Sequence, residues 1–110
     1  MMSYAQLVRQ WFGREKRGGL VLPDGWYGRP YDNLHTLVSI NEETGALAID
    51  LDVGLMLHFT GLRSLQPRGR DLVFSKFDRL HFKWRGIGSP GGTKDYSGGE
   101  VTLVSQSLTR

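Results

Sequence analysis

Three histidines, His35, His58 and His81, stand at equal intervals along this chain, and each follows a leucine. Three imidazoles from separate strands can hold zinc and leave a fourth position for water, provided that all share one concave face. Strand alternation sets each histidine opposite its apolar neighbour, so a common face is allowed. The flanking segments align poorly, so the spacing, a coincidence or a weak trace of repetition, is not read as an internal repeat. Three solvent-facing or edge histidines are the plainer reading, and neither a metal nor a cofactor is expected. A metal-assisted enzyme using His35, His58 and His81 stands as the alternative function.

A second constellation lies in residues 26–35. Trp26, Tyr27 and Tyr31 offer flat apolar surfaces, while Arg29, Asp32 and His35 offer directional polar contacts. Small-ligand sites combine those ingredients. These six residues are the candidate ligand-binding set, placed on an ordered loop. The competing reading is a structural plug in which Trp26 and Tyr27 close the core and Arg29 pairs with Asp32.

Other chemistry finds little support. Glu42 and Glu43 fall in a turn and read as solvated. Asp50 and Asp52 share a face at a strand end, an arrangement that can couple two like charges or equally flank a bulge, but no second catalytic partner stands nearby in sequence. There is no Gly-x-Ser-x-Gly and no Walker-type loop. The glycines of 86–92 lack the strand-to-helix context that aims backbone N–H groups at phosphate. The expectation leans away from an enzyme and toward a non-catalytic module binding a small ligand or a protein partner.

Charge is layered along the chain. Residues 24–60 set only Arg29 against Asp24, Asp32, Glu42, Glu43, Asp50 and Asp52. Residues 61–85 set Arg63, Arg68, Arg70, Lys76, Arg79, Lys83 and Arg85 against Asp71 and Asp78. An acidic half beside a basic half can steer a partner or a second copy, although two solvated faces of ordinary composition are the plainer reading. The net charge of +3 and pI of about 9.5 are mild. On the row His81, Lys83 and Arg85 the aromatics Phe82 and Trp84 point the other way. Base stacking and phosphate contact would not coincide, which disfavours nucleic acid; an oligonucleotide-binding β-domain is the least specific alternative.

The elements that must position these residues follow from a period-2 rhythm. Apolar-alternating runs at 20–22, 34–40, 46–51, 55–60, 72–77, 80–84 and 101–105 are closed by turn signals such as Glu43-Thr44-Gly45 and Arg68-Gly69-Arg70. This is the pattern of an antiparallel all-β domain. Seven or eight short strands in a meander (20–105) are expected to curl into a small barrel or half-barrel, which removes open edges; a two-sheet sandwich is the alternative. In 72–77 either face can be the core, and Asp78-Arg79 is expected to form a tight hairpin. Residues 86–99 are glycine-rich and read as a loop.

Ahead of the strands, Tyr4, Leu7, Val8, Trp11 and Phe12 line one helical face behind Ser3 as N-cap. They predict an amphipathic helix over 3–16 that plugs one end of the barrel or covers a sheet. With 110 residues and no cysteine the chain is expected to be one domain without disulfides. Neither a basic-then-apolar leader nor a membrane-length apolar run is present. The default expectation is therefore a cytoplasmic protein without membrane contact. Open edges make a homodimer a further expectation.

Overall fold

The computed structural model describes residues 3–27, 34–85 and 90–105. One helix, α1 (Tyr4–Glu15), precedes ten strands: β1 (Gly18–Leu22), β2 (Gly25–Trp26), β3 (Leu37–Glu43), β4 (Ala46–Leu51), β5 (Met56–Thr60), β6 (Ser64–Arg68), β7 (Asp71–Ser75), β8 (Arg79–Trp84), β9 (Gly92–Tyr96) and β10 (Glu100–Ser105). The strands form two antiparallel five-stranded sheets. The first has the order β2-β1-β10-β7-β6 and the second β3-β4-β5-β8-β9. All-β with one N-terminal helix is thus the fold class. The sheets do not close into a barrel among the described residues.

The reason lies in one long bent hairpin. Pairing of Met56 with Lys83 through Thr60 with Arg79 resumes as Ser64 with Ser75 through Arg68 with Asp71, with no residue gained or lost on either side. Between the two ladders the chain turns a corner at 61–63 and 76–78. Gly61 (φ 68°) and Lys76 (φ 56°) take left-handed backbone there, and the Arg63 N–H still donates to the Lys76 carbonyl at 3.0 Å. The same two strands therefore serve both sheets, one half of the hairpin in each. This overturns the expected Asp78-Arg79 hairpin, since β7 pairs with β6 and β10 while β8 pairs with β5 and β9.

The inner faces supply the core. Leu47, Ile49, Leu57, Phe59, Leu80 and Phe82 of the second sheet belong to one buried cluster with Leu20, Leu72, Phe74, Val101 and Leu103 of the first. Phe59 stacks on Phe74 across the sheets at 4.8 Å. Each such side chain contributes about 1.5–3 kcal/mol by leaving water. In β7, Leu72 and Phe74 join the core while Val73 is buried outside the cluster, which is why alternation alone left that strand open.

Helix α1 runs against β3. Ser3 caps it in a reciprocal box: its hydroxyl accepts the Gln6 N–H and the Gln6 side chain accepts the Ser3 N–H. Glu42, expected in a solvated turn, lies in β3 and accepts the Ala5 N–H at 2.9 Å, where a carboxylate suits the positive helix end. Trp11 is buried over Gly18 and donates its indole N–H to the Arg70 carbonyl at 2.8 Å. The helix thus ties the edge of the second sheet to the first.

Two segments depart from the sequence reading. Trp26, expected in a loop, forms β2 with Gly25 and pairs with β1. Gly92–Tyr96, expected in the glycine-rich loop, is the edge strand β9, paired with β8. Glycine suits the start of that strand: a Cβ on Gly92 would lie 2.6 Å from the Trp84 ring.

Candidate functional site

Three of the six predicted binding residues, Trp26, Tyr27 and His35, fall among the described residues. Arg29, Tyr31 and Asp32 lie outside the described residues. Trp26 is 44% exposed and lies against Gly19, whose Cβ position is 3.1 Å from the indole. Tyr27 turns the other way. Its ring meets Phe82 edge-on at 5.4 Å and His35 at 5.9 Å, and burial pushes its phenol pKa up. Tyr27 and His35 therefore come together, and Trp26 does not join them.

His35 is held by two backbone hydrogen bonds with Gly18. Its side chain is buried, with Nδ1 3.2 Å from Asp52 Oδ1 and Nε2 without a hydrogen-bond partner among the described residues. Burial lowers its pKa, and the hydrogen bond and charge of Asp52 only partly offset that. At neutral pH the ring is therefore uncharged. The carboxylate selects Nδ1–H, leaving a bare lone pair on Nε2.

Asp52 carries the construction to the surface. Its N–H donates to the Thr36 carbonyl at 3.0 Å, and it opens the short 3-10 turn Asp52–Gly54 between β4 and β5. Inside that turn Val53 has φ 53° and ψ 28°. A β-branched residue in the left-handed region is a genuine outlier, and such strain concentrates at ligand clamps and active sites.

Val53 stands on the rim of an open cleft of about 610 Å³. Asp50, Asp52 and Gly54 line it from the β4–β5 side, Lys83, Trp84 and Arg85 from the end of β8, Met56 from β5 and Val38 from β3. Val38 is 65% and Val53 53% exposed, and Val38 sits where the β3–β4 register slips. Phe82 links this wall to the interior, stacked against Trp84 at 5.7 Å and touching Tyr27. The half-buried Tyr27 and the buried His35 thus back the cleft through Phe82 and Asp52.

The charges are unequally committed. Asp50 accepts the Ser39 hydroxyl at 2.9 Å, and Asp52 is engaged by His35. Lys83 and Arg85 have no ion-pair partner among the described residues. Arg85 instead lies over Gly54, where a Cβ would be 2.9 Å from the Arg85 Cβ and 3.2 Å from its Nε. The carboxylates of Asp50 and Asp52 belong to the same lining, but neither makes a direct ion pair with Lys83 or Arg85. An apolar wall beside cations without a direct ion pair can hold an anionic group next to a hydrophobic one.

The three histidines do not converge. His58 and His81 are direct cross-strand partners, whereas His35 is buried beside Gly18. Among the described residues no cluster of three or more His, Cys, Asp or Glu side chains is arranged to hold a metal ion. Sequence reasoning missed Val38, Val53, Lys83, Trp84 and Arg85 as a group. The available signal was Asp52-Val53-Gly54, a break in alternation between two clear strands.

Comparison with protein-family models, with curated proteins and with solved structures finds no match to this chain.

Proposed function

We propose that this protein is a non-catalytic binding module whose ligand seats in the cleft at the end of β4, β5 and β8. The ligand class is a short acidic peptide segment carrying a bulky apolar side chain. One observation carries this reading: Lys83 and Arg85 make no direct ion pair among the described residues, beside the exposed Val38 and Val53 and the ring of Trp84. A carboxylate meets the cations, and the apolar side chain covers surface that water otherwise wets. The strain at Val53 fits the same reading, because it keeps an isopropyl group on the rim.

The test is a titration with acidic peptides that contain Phe, Leu or Trp, read by backbone amide shifts. Binding should map to residues 50–56 and 83–85 and weaken with salt. Replacing both cations (Lys83→Ala with Arg85→Ala) should lower affinity by about tenfold or more with an unchanged melting temperature. Trp26→Ala should leave binding intact, since Trp26 lies against Gly19 on β1. Shifts that map elsewhere, or equal affinity for the double variant, would sink the reading.

A further inference from the structure

The second sheet carries a histidine pair that the cleft does not use. His58 of β5 is the direct antiparallel partner of His81 of β8, and His81 is the direct partner of Asp95 of β9. Since β8 lies between β5 and β9, the three side chains form one row. Leu57, Phe59, Leu80 and Phe82 on either side of the histidines are buried in the core, so the row lies on the outer face.

His81 Nδ1 sits 2.7 Å from Asp95 Oδ1. With Nδ1 engaged by Asp95, Nε2 is the His81 ring nitrogen left to bind a ligand on the face shared with His58. The carboxylate takes Nδ1–H, and Nε2 keeps its lone pair. Metal-bound histidines use this carboxylate arrangement to fix tautomer and raise basicity. His58 is exposed, and its side chain has no hydrogen-bond partner among the described residues. The pair lines a concavity of about 330 Å³ with Thr60 and Arg79. Opposed Cβ atoms on antiparallel strands are about 4.5–5.5 Å apart. Two imidazoles at that separation can reach one ion at about 2.0–2.1 Å from each nitrogen.

We propose that His58 and His81 chelate a divalent transition-metal ion of the imidazole-preferring kind on the outer face of the second sheet, with Asp95 orienting His81. Two side chains leave the remaining coordination positions to solvent or to a donor from another molecule. Arg79, 3.1 Å from the same Asp95 oxygen, reduces the local negative charge. The site therefore depends on the two nitrogens rather than on electrostatic attraction.

The experiment is a titration of the untagged chain with Zn²⁺, followed by calorimetry and by the ring resonances of its three histidines. The His58 and His81 signals should move together and saturate at one ion per chain, while His35 stays in place. His58→Ala and His81→Ala should each weaken binding by at least about tenfold, and Asp95→Ala by about 10–100-fold. In Asp95→Ala the His81 ring nitrogens should also lose their single-tautomer ¹⁵N signature, which a merely structural role of Asp95 would not alter. The proposal is overturned if Zn²⁺ leaves His58 and His81 unmoved in the wild-type chain. It is equally overturned if removing either one leaves the affinity unchanged.

Discussion

Replacing Val53 by Asn should make this protein more stable and a poorer binder. Val53 holds φ 53° in the turn between β4 and β5. A left-handed L-residue costs about 1–2 kcal/mol, and Asn tolerates the region by bonding locally. Against that relief stands lost burial. Val53 is 53% exposed, so under half of the roughly 1.5 kcal/mol for fully burying a valine, at most about 0.7 kcal/mol, is forfeited. The balance is a gain of about 0.3–1.3 kcal/mol, or about 1–6 °C in melting temperature for a domain of this size. Denaturant unfolding at neutral pH measures it, with an unchanged slope showing that the denatured state is the same. Val53→Gly should gain less, because glycine adds about 0.4–1 kcal/mol of unfolded-chain entropy. The proposed function requires the stabilised Val53→Asn variant to bind the acidic apolar peptide more weakly. A loss of stability of 1 kcal/mol or more, taken as about twice the typical mutational error, would show that packing rather than function holds Val53 there.

Three further outcomes follow from the geometry. Burial lowers the His35 pKa, so below its ordinary value of 6.5 the unfolded chain takes up a proton that the folded chain refuses. Stability should be full above that pH and fall as pH drops toward the folded value, by up to about 1.4 kcal/mol per pH unit; His35→Gln should flatten this slope in pH-resolved denaturation curves. Gly61→Ala should cost about 1–2 kcal/mol, because Gly61 has φ 68° and a Cβ there would lie 2.2 Å from Asp78 Oδ2. Most of that cost should persist in an Asp78→Ala background, since it is backbone strain at the corner. Gly18→Ala should destabilise by about 1–3 kcal/mol, because the new methyl would lie 2.5 Å from the Trp11 ring; in a Trp11→Phe background the penalty should shrink, which a double-mutant cycle reads directly.

Much of the fold was legible because burial on one face writes itself into a strand as alternation. Leu47, Ile49 and Leu51 in β4, Leu57 and Phe59 in β5, and Leu80 and Phe82 in β8 all point inward as their spacing requires. The helix was legible for the same reason, through Val8, Trp11 and Phe12 behind the Ser3 cap. β9 was not legible. Its residues Gly92, Thr93, Lys94, Asp95 and Tyr96 are half-buried or exposed at a sheet edge, so no hydrophobic period marks them. Its pairing depends on β8 and on the room that Gly92 leaves for Trp84.

For the site, local composition pointed to residues 26–35, and of these Tyr27 and His35 do stand together. The cleft itself was out of reach of the sequence. It combines Val38, Val53 and Arg85, which meet only because β3, the β4–β5 turn and the end of β8 finish at one end of the same sheet. Sequence by itself determined which residues leave water, since that choice is local and periodic. Only tertiary structure decided that one hairpin bends at Gly61 and Lys76 to build two sheets. Register across such a corner depends on backbone torsions and long-range pairing, which leave no periodic trace in the chain.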